Sequence, residues 1–258
     1  MIKRIGLLGL VLVFSLNGFV LIGSERLHEE SDLIVGENMV SGAISVPSHA
    51  AFDQLLQKYV TADGKVNYVG FKKEEGALDT YIKSLAAASP QAAWSKNEQM
   101  AYWINLYNAL TIQLICVHYP VTRITDIDKG KPWDATRVTI GGKGYSLNDI
   151  ENNVLRPMGD PRVHFAINCA ALSCPPIWNH AWTGTNVSER LEMQAKRFIN
   201  AAGYNKVTAT QATLSSIFNW FGKDFGNVVD FLNKYSAVQL HKDAKIGYME
   251  YDWLLNKQ

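Results

Sequence analysis

A long apolar segment around residue 100 constrains the fold more than any other feature of the sequence. Ser95 and Glu98 have the spacing of a capping box and predict a helix over residues 96–118, which Tyr119-Pro120 ends. Large apolar side chains occur nearly all round it: Met100, Trp103, Leu106, Tyr107, Leu110 and Leu114. A helix that is apolar on every side is buried, so we expect the rest of the domain to pack around it.

Shorter elements flank this helix without the regular strand–helix alternation of a parallel α/β fold. The run at 162–168 has apolar side chains at every second position and gives the clearest strand pattern. Residues 137–145 predict a hairpin with a glycine-rich turn. Helices are predicted at 48–60, 72–88, 146–155, 186–203 and 217–235, and further strands at 206–210 and 246–251. These patterns predict an α+β domain that is mostly helical, with a small and mainly antiparallel sheet.

The start of the chain predicts an address outside the cytoplasm. Two basic residues precede an apolar run at 5–22, which is the layout of a secretory signal. We interpret residues 1–24 as a signal peptide, with an uncleaved membrane anchor as the alternative because the run is near the minimum length for a bilayer span. Residues 25–46 lack periodicity and predict a tether, followed by a single α+β domain at 47–258. The sequence therefore predicts a secreted or periplasmic protein.

Charge and motifs exclude several classes of partner. Twenty-five Lys and Arg against twenty-four Asp and Glu give a net charge of +1, so no global field attracts nucleic acid or an anionic membrane. The glycine-rich segment at 141–144 lacks the strand-to-helix context of a phosphate loop, and it predicts a hairpin turn. We predict no cofactor, and a small-molecule, peptide or glycan ligand. Contact with a membrane is expected only through a retained segment at 5–22.

The densest group of reactive side chains lies at residues 164–180. One interpretation is thiol catalysis, in which Cys169, at a strand end, is the nucleophile and nearby backbone N–H groups lower its pKa. His164 is then the candidate base, and Glu151 or Asn168 the group that orients it. Five residues of straight strand span roughly 16 Å, so His164 reaches Cys169 only if the chain folds back. Other candidate bases are His118, His180 and His241.

Two further interpretations of the same residues remain open. Cys169 and Cys174 could form a disulfide in a non-catalytic binding or scaffold module, which would leave Cys116 as the odd thiol. Such a bridge requires a turn between the two cysteines, because six continuous helical residues would hold them too far apart. The set of His164, Cys169, Cys174 and His180 could instead bind zinc, but its spacing matches no familiar zinc motif, and we predict no metal.

Two other residue groups have structural interpretations first. The aromatic residues Trp103, Tyr107, Trp133, Trp178, Trp182, Trp220 and Trp253 could line a ligand cleft, but we expect most of them in the core. Asn105 and Asn108 lie on the central apolar helix, where a buried amide must find hydrogen-bond partners. We expect these two amides to tie the helix to a neighbouring loop.

Five sequence blocks in one order resemble the domain of unknown function 547 (DUF547) family over about residues 95–256. They are WINLYNAL (103–110), SLNDIENNVLR (146–156), DPRVHFAINCA (160–170), SCPP (173–176) and YDWLLN (251–256). The resemblance implies a shared fold and a Cys/His block, but it implies no reaction. In the family pattern His usually follows the Ile-Glu pair, whereas Asn152 follows Glu151 here. A mechanism that uses that His as a base therefore does not carry over to this chain.

The most concrete function from the sequence is a thiol hydrolase or transferase acting on amide or peptide-like bonds. Its candidate catalytic residues are Cys169, His164, Glu151 and Asn168. The alternative is the binding or scaffold module with a Cys169–Cys174 disulfide.

Overall fold

A computed structural model describes residues 45–258 of the chain. The predicted signal or anchor at 1–24 and all but the last two residues of the predicted tether at 25–46 lie outside these described residues. The α-helices are α1 (Ala50–Tyr59), α2 (Tyr68–Lys73), α3 (Glu75–Ala87), α4 (Lys96–His118), α5 (Val187–Ile199), α6 (Ile217–Trp220), α7 (Gly222–Phe225) and α8 (Val228–Asn233). The strands are β1 (Thr136–Ile140), β2 (Lys143–Ser146), β3 (Lys206–Val207), β4 (Gln211–Leu214) and β5 (Lys245–Tyr248).

Helix α4 is the buried centre of the fold, as its sequence predicts. Ser95 accepts a hydrogen bond from the Glu98 backbone N–H, and the Glu98 carboxylate accepts one from the Ser95 N–H, so the capping box is complete. Within the described part of the chain, α4 is the one helix long and apolar enough to cross a membrane. Because 89% of its apolar window is buried inside the protein, its composition is explained by its place in the core.

The two asparagines of α4 bind neighbouring loops, which confirms their predicted role. Asn108 donates to the carbonyl of Ala166 at 3.0 Å and accepts from the N–H of Asn168 at 2.9 Å. Asn105 makes the same pair of bonds with the backbone of Trp182, at 2.7 and 3.0 Å. Both amides are therefore satisfied inside an apolar helix, and the loop at 166–168 is fixed against α4.

The sheets are small, in agreement with the predicted α+β class. Strands β1 and β2 form the expected antiparallel hairpin. The second sheet has the order β3-β4-β5, in which β3 and β4 are antiparallel and β4 and β5 are parallel. Neither sheet is wide enough to form a layer of its own, so helices supply most of the core.

The strand predicted at 162–168 is wrong. Residues Pro161–Phe165 form a 3-10 helix, which Asp160 caps by accepting a hydrogen bond from the Arg162 N–H at 3.0 Å. The alternating pattern misleads because residues 163–168 are buried on all sides, His164 and Asn168 included. Alternation indicates a strand only where one face meets water, and here neither face does.

Two apolar clusters build the core. The first surrounds α4 and includes α1 to α3 and the hairpin. The second consists of Phe165, the end of α5, β4 and helices α6 to α8. A pocket is lined by residues of both clusters, among them Tyr107 and Ile167 of the first and Ile217 and Phe221 of the second.

Candidate functional site

Cys169 lies on a tight turn that its neighbours hold in place. The Asn168 side chain accepts from the Ala170 N–H at 2.8 Å and donates to the Pro175 carbonyl at 2.9 Å. Ala170 has φ +61°, a left-handed conformation that alanine adopts rarely. Strained backbone of this kind persists only where the surroundings enforce it, and it is concentrated at functional sites. Asn168 therefore supports the turn, and the half-buried Cys169 thiol faces the pocket.

The turn brings Cys174 back onto Cys169. The Cys174 N–H donates to the Ala171 carbonyl at 3.1 Å, and the Cys169 N–H lies 2.9 Å from the Cys174 sulfur. Cys174 is buried, and Cys116, Cys169 and Cys174 are all free thiols. The disulfide that the sequence left open as an alternative is therefore not formed in this structure, although the turn that it required is present.

The C-terminal segment places a tyrosine hydroxyl beside the Cys169 thiol. The Leu172 N–H donates to the Leu254 carbonyl at 2.7 Å, and the Asp252 N–H donates to the Ser173 hydroxyl at 2.8 Å. This pairing places the Tyr251 hydroxyl 3.1 Å from the Cys169 sulfur. Burial raises the pKa of Tyr251 well above its usual value, so the hydroxyl keeps its proton and can donate it to a thiolate.

Hydrogen bonds stabilise the Cys169 thiolate. The pKa of Cys169 is lowered most by the hydrogen bond from the Cys174 thiol, and also by the Tyr251 hydroxyl and the Ala171 N–H. The residues after Cys169 form a turn, and the Ala171 N–H is the nearby backbone group that contributes to the lowered pKa. Burial opposes the ionisation but is outweighed.

Glu151 lines the same pocket, where its side chain is only 12% exposed, and no Lys or Arg of residues 45–258 forms an ion pair with it. It lies on a π-helical segment, Asp149–Leu155, and its carboxylate accepts from the Tyr107 hydroxyl at 3.3 Å. Burial raises the pKa of Glu151 to about 7. A carboxyl group in this range exchanges a proton near neutral pH, which is the property of a general acid or base.

His164 lies behind Glu151, held by a second carboxylate. Its Nε2 is 2.8 Å from an oxygen of Asp224, and its Nδ1 is 3.9 Å from an oxygen of Glu151. The ring stacks on Phe221 with the centroids 4.1 Å apart. Burial lowers the pKa of His164, so the neutral imidazole donates its Nε2–H to Asp224 and turns Nδ1 towards Glu151.

Asp224 is fixed in turn by Arg156. The guanidinium group donates to both carboxylate oxygens at 2.6 and 2.9 Å. These bonds lower the pKa of Asp224 to about 2. Hydrogen bonds thus join Arg156 to Asp224 and Asp224 to His164, and the other ring nitrogen of His164 faces the carboxyl group of Glu151.

Aromatic side chains form the walls of the pocket, which has a volume of about 180 Å³. Trp133, Trp220 and Trp253 lie around it, and Trp220 is 49% exposed. Trp103 and Trp182 are buried, as expected of core residues. None of the pocket-lining residues in the described part of the chain is Lys or Arg. The aromatic residues thus divide between core and site, which their sequence positions do not reveal.

His180 lies elsewhere, so the proposed zinc set is not assembled. Its Nδ1 is 3.2 Å from Asp53, on a wider groove of about 930 Å³ that contains no cysteine. Among residues 45–258, no group of three or more His, Cys, Asp and Glu side chains is arranged to hold a metal ion.

Three of the four predicted site residues therefore line one pocket: Cys169, His164 and Glu151. His164 lies near the end of the 3-10 helix and Cys169 follows the irregular segment 166–168, and both side chains line the pocket without contacting each other through a hydrogen bond. No hydrogen bond of residues 45–258 joins His164 to Cys169, or Asn168 to His164. Sequence reasoning named Tyr107 only as a possible cleft residue, without its bond to Glu151, and it missed Tyr251 and Asp224. The two tyrosines lie within the blocks 103–110 and 251–256, whereas no local pattern marks Asp224.

Comparison with known proteins identifies a family but no characterised relative. Neither the curated proteins nor the solved structures contain a match to this chain. Residues 91–199 match the family described as "Protein of unknown function, DUF547". The matched segment includes α4, Glu151, His164 and both cysteines of the turn. These residues, 91–199, belong to the DUF547 family.

Proposed function

We propose that the pocket is an acyl-transfer site in which Cys169 is the nucleophile. The protein would then be a thiol hydrolase or transferase acting on amide or peptide-like bonds. One observation carries the proposal: the half-buried Cys169 thiol faces the pocket beside a strained turn, with its sulfur 3.1 Å from the Tyr251 hydroxyl and its backbone N–H bonded to the Cys174 sulfur at 2.9 Å. A thiolate held in this way, beside a carboxyl group that titrates near neutral pH, is the pairing that covalent catalysis needs.

In the proposed reaction, the Cys169 thiolate attacks the carbonyl carbon of the substrate. The C–N bond breaks as protonated Glu151 gives its proton to the leaving amine, and a thioester remains on Cys169. Glu151, now a carboxylate, takes a proton from water or from an acceptor amine, which attacks the thioester. The thiolate leaves, and Glu151 is protonated again. The Tyr251 hydroxyl donates to the thiolate at rest and is within reach of the developing oxyanion.

The roles of the other predicted residues change in this proposal. His164 was predicted as the base and Glu151 as its orienting group, but Nε2 of His164 is engaged by Asp224. We therefore assign proton transfer to Glu151, and we assign His164 and Asp224 the positioning of that carboxyl group. Asn168 holds the turn of the nucleophile instead of orienting the imidazole.

Charge limits the class of substrate. The pocket walls contribute Glu151 and the Cys169 thiolate, but no Lys or Arg. An anionic acyl group would meet the like charge of the Cys169 thiolate in a partly dehydrated site, where the repulsion is strong, and the protonated Glu151 would offer it no opposite charge. The aromatic walls favour a flat or apolar group. We therefore propose a neutral acyl group with planar or apolar character, on a small molecule or peptide.

A binding module is the second candidate, and the partly exposed aromatic cluster of Trp220, Tyr251 and Trp253 favours it. Trp220 and Trp253 stack with centroids 5.9 Å apart, and Tyr251 lies 4.5 Å from Trp253. Such a surface can bind a peptide or glycan without catalysing a reaction on it. The address outside the cytoplasm also remains a proposal, supported by the apolar run at 5–22.

The test compares two acyl donors that differ only in the leaving group. Phenylacetyl p-nitrophenyl ester carries a good leaving group, whereas phenylacetyl p-nitroanilide needs a proton on its amine to leave. We expect both to acylate Cys169 of the full chain, detected by release of the chromophore and by mass mapping of the phenylacetyl group. Glu151→Gln should slow the anilide about 100-fold or more, and should change the ester reaction little.

Matched variants make the result decisive. Cys169→Ser should abolish acylation by both donors, and Cys116→Ser should leave both unchanged. Asp149→Asn alters a neighbouring carboxyl outside the pocket lining and should not separate the ester from the anilide. Binding of the ester without acylation of wild-type Cys169 would instead support the binding module and contradict the proposed reaction.

A further inference from the structure

We propose that Cys169 and Cys174 form a site of reversible oxidation by hydroperoxides, in which Cys174 is the resolving thiol. This inference rests on the reactive Cys169 thiol of the proposed function, but it does not require acyl transfer. It differs from a structural disulfide, because the two thiols are free in the folded protein and the turn is formed without the bridge.

The two thiols have the unequal environments that such a pair requires. Cys169 is half-buried and faces the pocket, where a small oxidant can reach it. Cys174 is only 5% exposed, and its sulfur lies 2.9 Å from the Cys169 backbone nitrogen. Oxidants react with accessible thiolates, so Cys169 is attacked first, and the less exposed Cys174 thiol is placed to react with the oxidised Cys169 sulfur.

The pKa values of the pair point in the same direction. Hydrogen bonds lower the pKa of Cys169, whereas burial raises that of Cys174 well above its usual value. Cys169 is thus the attacking thiolate, and Cys174 keeps its proton until a reactive sulfur is formed beside it.

The chemistry is balanced with one equivalent of peroxide. The Cys169 thiolate attacks one oxygen of hydrogen peroxide, the O–O bond breaks, and hydroxide leaves and is protonated to water. Cys169 is then a sulfenic acid. The Cys174 sulfur attacks this sulfenic sulfur, an S–S bond forms and the S–O bond breaks. Hydroxide leaves with the Cys174 proton as water. Two thiols are oxidised by two electrons, and the peroxide is reduced to two molecules of water.

The bridge would switch off the nucleophile and protect it. A disulfide leaves no thiolate for attack on a carbonyl, and it prevents further oxidation of Cys169 to the irreversible sulfinic acid. Reduction by an external thiol restores both groups. Cys116 takes no part, because it lies on buried α4 and bonds to the Tyr68 carbonyl.

The test exposes the reduced full chain to one equivalent of hydrogen peroxide and then alkylates the remaining thiols under denaturing conditions. In the wild type we expect only Cys116 to be alkylated, and we expect the chain to lose the mass of two hydrogens because Cys169 and Cys174 form a disulfide. Dithiothreitol should restore all three alkylated thiols. Cys174→Ser should instead accumulate oxygen on Cys169, and Cys116→Ser should form the bridge as the wild type does.

Each outcome separates this inference from the proposed function. Oxygen added to wild-type Cys169 while Cys174 remains alkylatable would overturn the resolving role. If the ester acylates Cys169 but peroxide leaves both thiols reduced, the redox inference fails alone. If the bridge forms but neither acyl donor reacts, acyl transfer fails and the redox site stands.

Discussion

Cys116 and Cys169 differ more in the hydrogen-bond partners of their sulfur atoms than in their burial. Cys116 lies on α4 among apolar side chains, and burial raises its pKa to about 12. Cys169 is half-buried at the pocket, and burial opposes its ionisation as well, but bonds from Cys174 and Tyr251 lower its pKa. One residue type is thus inert in one region and activated in the other. The partners of a sulfur atom, rather than burial alone, decide its reactivity.

The carboxyl groups of the site repeat this contrast. The Glu151 carboxyl group is largely buried, with a phenol as its only hydrogen-bond partner among the described residues, and burial raises its pKa to about 7. Asp224 accepts two bonds from Arg156 and one from His164, and its pKa falls to about 2. The fold therefore holds one proton-exchanging carboxyl beside one that is permanently charged, which is the separation of roles that acid–base chemistry uses.

The largest expected effect is the difference between the two thiols in reactivity. At pH 7 in the native protein, Cys169 should react with iodoacetamide at least about 1000-fold faster than Cys116. A pKa near 12 instead of 9 alone lowers the thiolate fraction that much. Peptide mapping of the alkylated chain measures both rates, with Cys116→Ser as the control for assignment. Similar rates at the two positions would remove the basis of the comparison.

The next largest effect is the loss of folding stability that the ionised Glu151 causes at high pH. In the folded protein the pKa of Glu151 is about 7, above its usual 4.5. The contribution of Glu151 to the free energy of unfolding is therefore fully present below pH 4.5 and is lost as the pH rises through 7. Glu151→Gln removes this dependence. The free energy of unfolding at pH 8 should rise by about 3 kcal/mol relative to the wild type, and should match it near pH 4.

The neighbouring carboxyl provides a control of opposite sign. Asp149 accepts bonds from Ser146, which lower its pKa, so its stabilisation is present above its usual pKa and is lost in acid. Asp149→Asn should therefore lower stability at pH 8. Urea unfolding of both variants at the two pH values decides the matter. Destabilisation by Glu151→Gln at pH 8 would show that the Glu151 carboxylate is paired in the folded protein.

A smaller effect is expected at Asp224, where partners stabilise the charge. The pKa of Asp224 is about 2, below the usual 3.8. The contribution of Asp224 to the free energy of unfolding is therefore present above pH 3.8 and is lost as the pH falls through 2. Asp224→Asn should lower the free energy of unfolding at pH 7 by about 2 kcal/mol. The exposed Asp230, which has no ion pair within residues 45–258, gives the matched control Asp230→Asn. Equal losses in the two variants would contradict the assigned role of Arg156.

The sequence predicts local features well and distant pairings poorly. Helix α4 is predicted to the residue because a capping box and a proline mark its ends. The strand at 162–168 is wrong because complete burial on both faces removes the meaning of alternation. Cys169 and His164 could be found because reactive side chains are dense at 164–180, and Glu151 could be found as a nearby carboxylate able to orient an imidazole. Tyr251 and Asp224 contact them across 82 and 60 residues, a separation that no local pattern encodes.

The smallest effect tests whether one of these distant partners activates the thiol. Tyr251→Phe removes the hydroxyl 3.1 Å from the Cys169 sulfur and keeps the aromatic ring. A hydrogen bond to a charged group contributes about 1.5 kcal/mol or more, so the pKa of Cys169 should rise by about one unit. Alkylation at neutral pH should slow by about tenfold, with the pH profile shifted upwards.

The control for this variant is Tyr248→Phe, because Tyr248 is exposed on β5 and does not line the pocket. It should leave the pH profile of Cys169 unchanged. An unshifted profile in Tyr251→Phe would mean that Cys174 and the Ala171 N–H hold the thiolate without the phenol. In that case the activation would be local to the turn, within the DUF547 segment, and the C-terminal block would serve to shape the pocket.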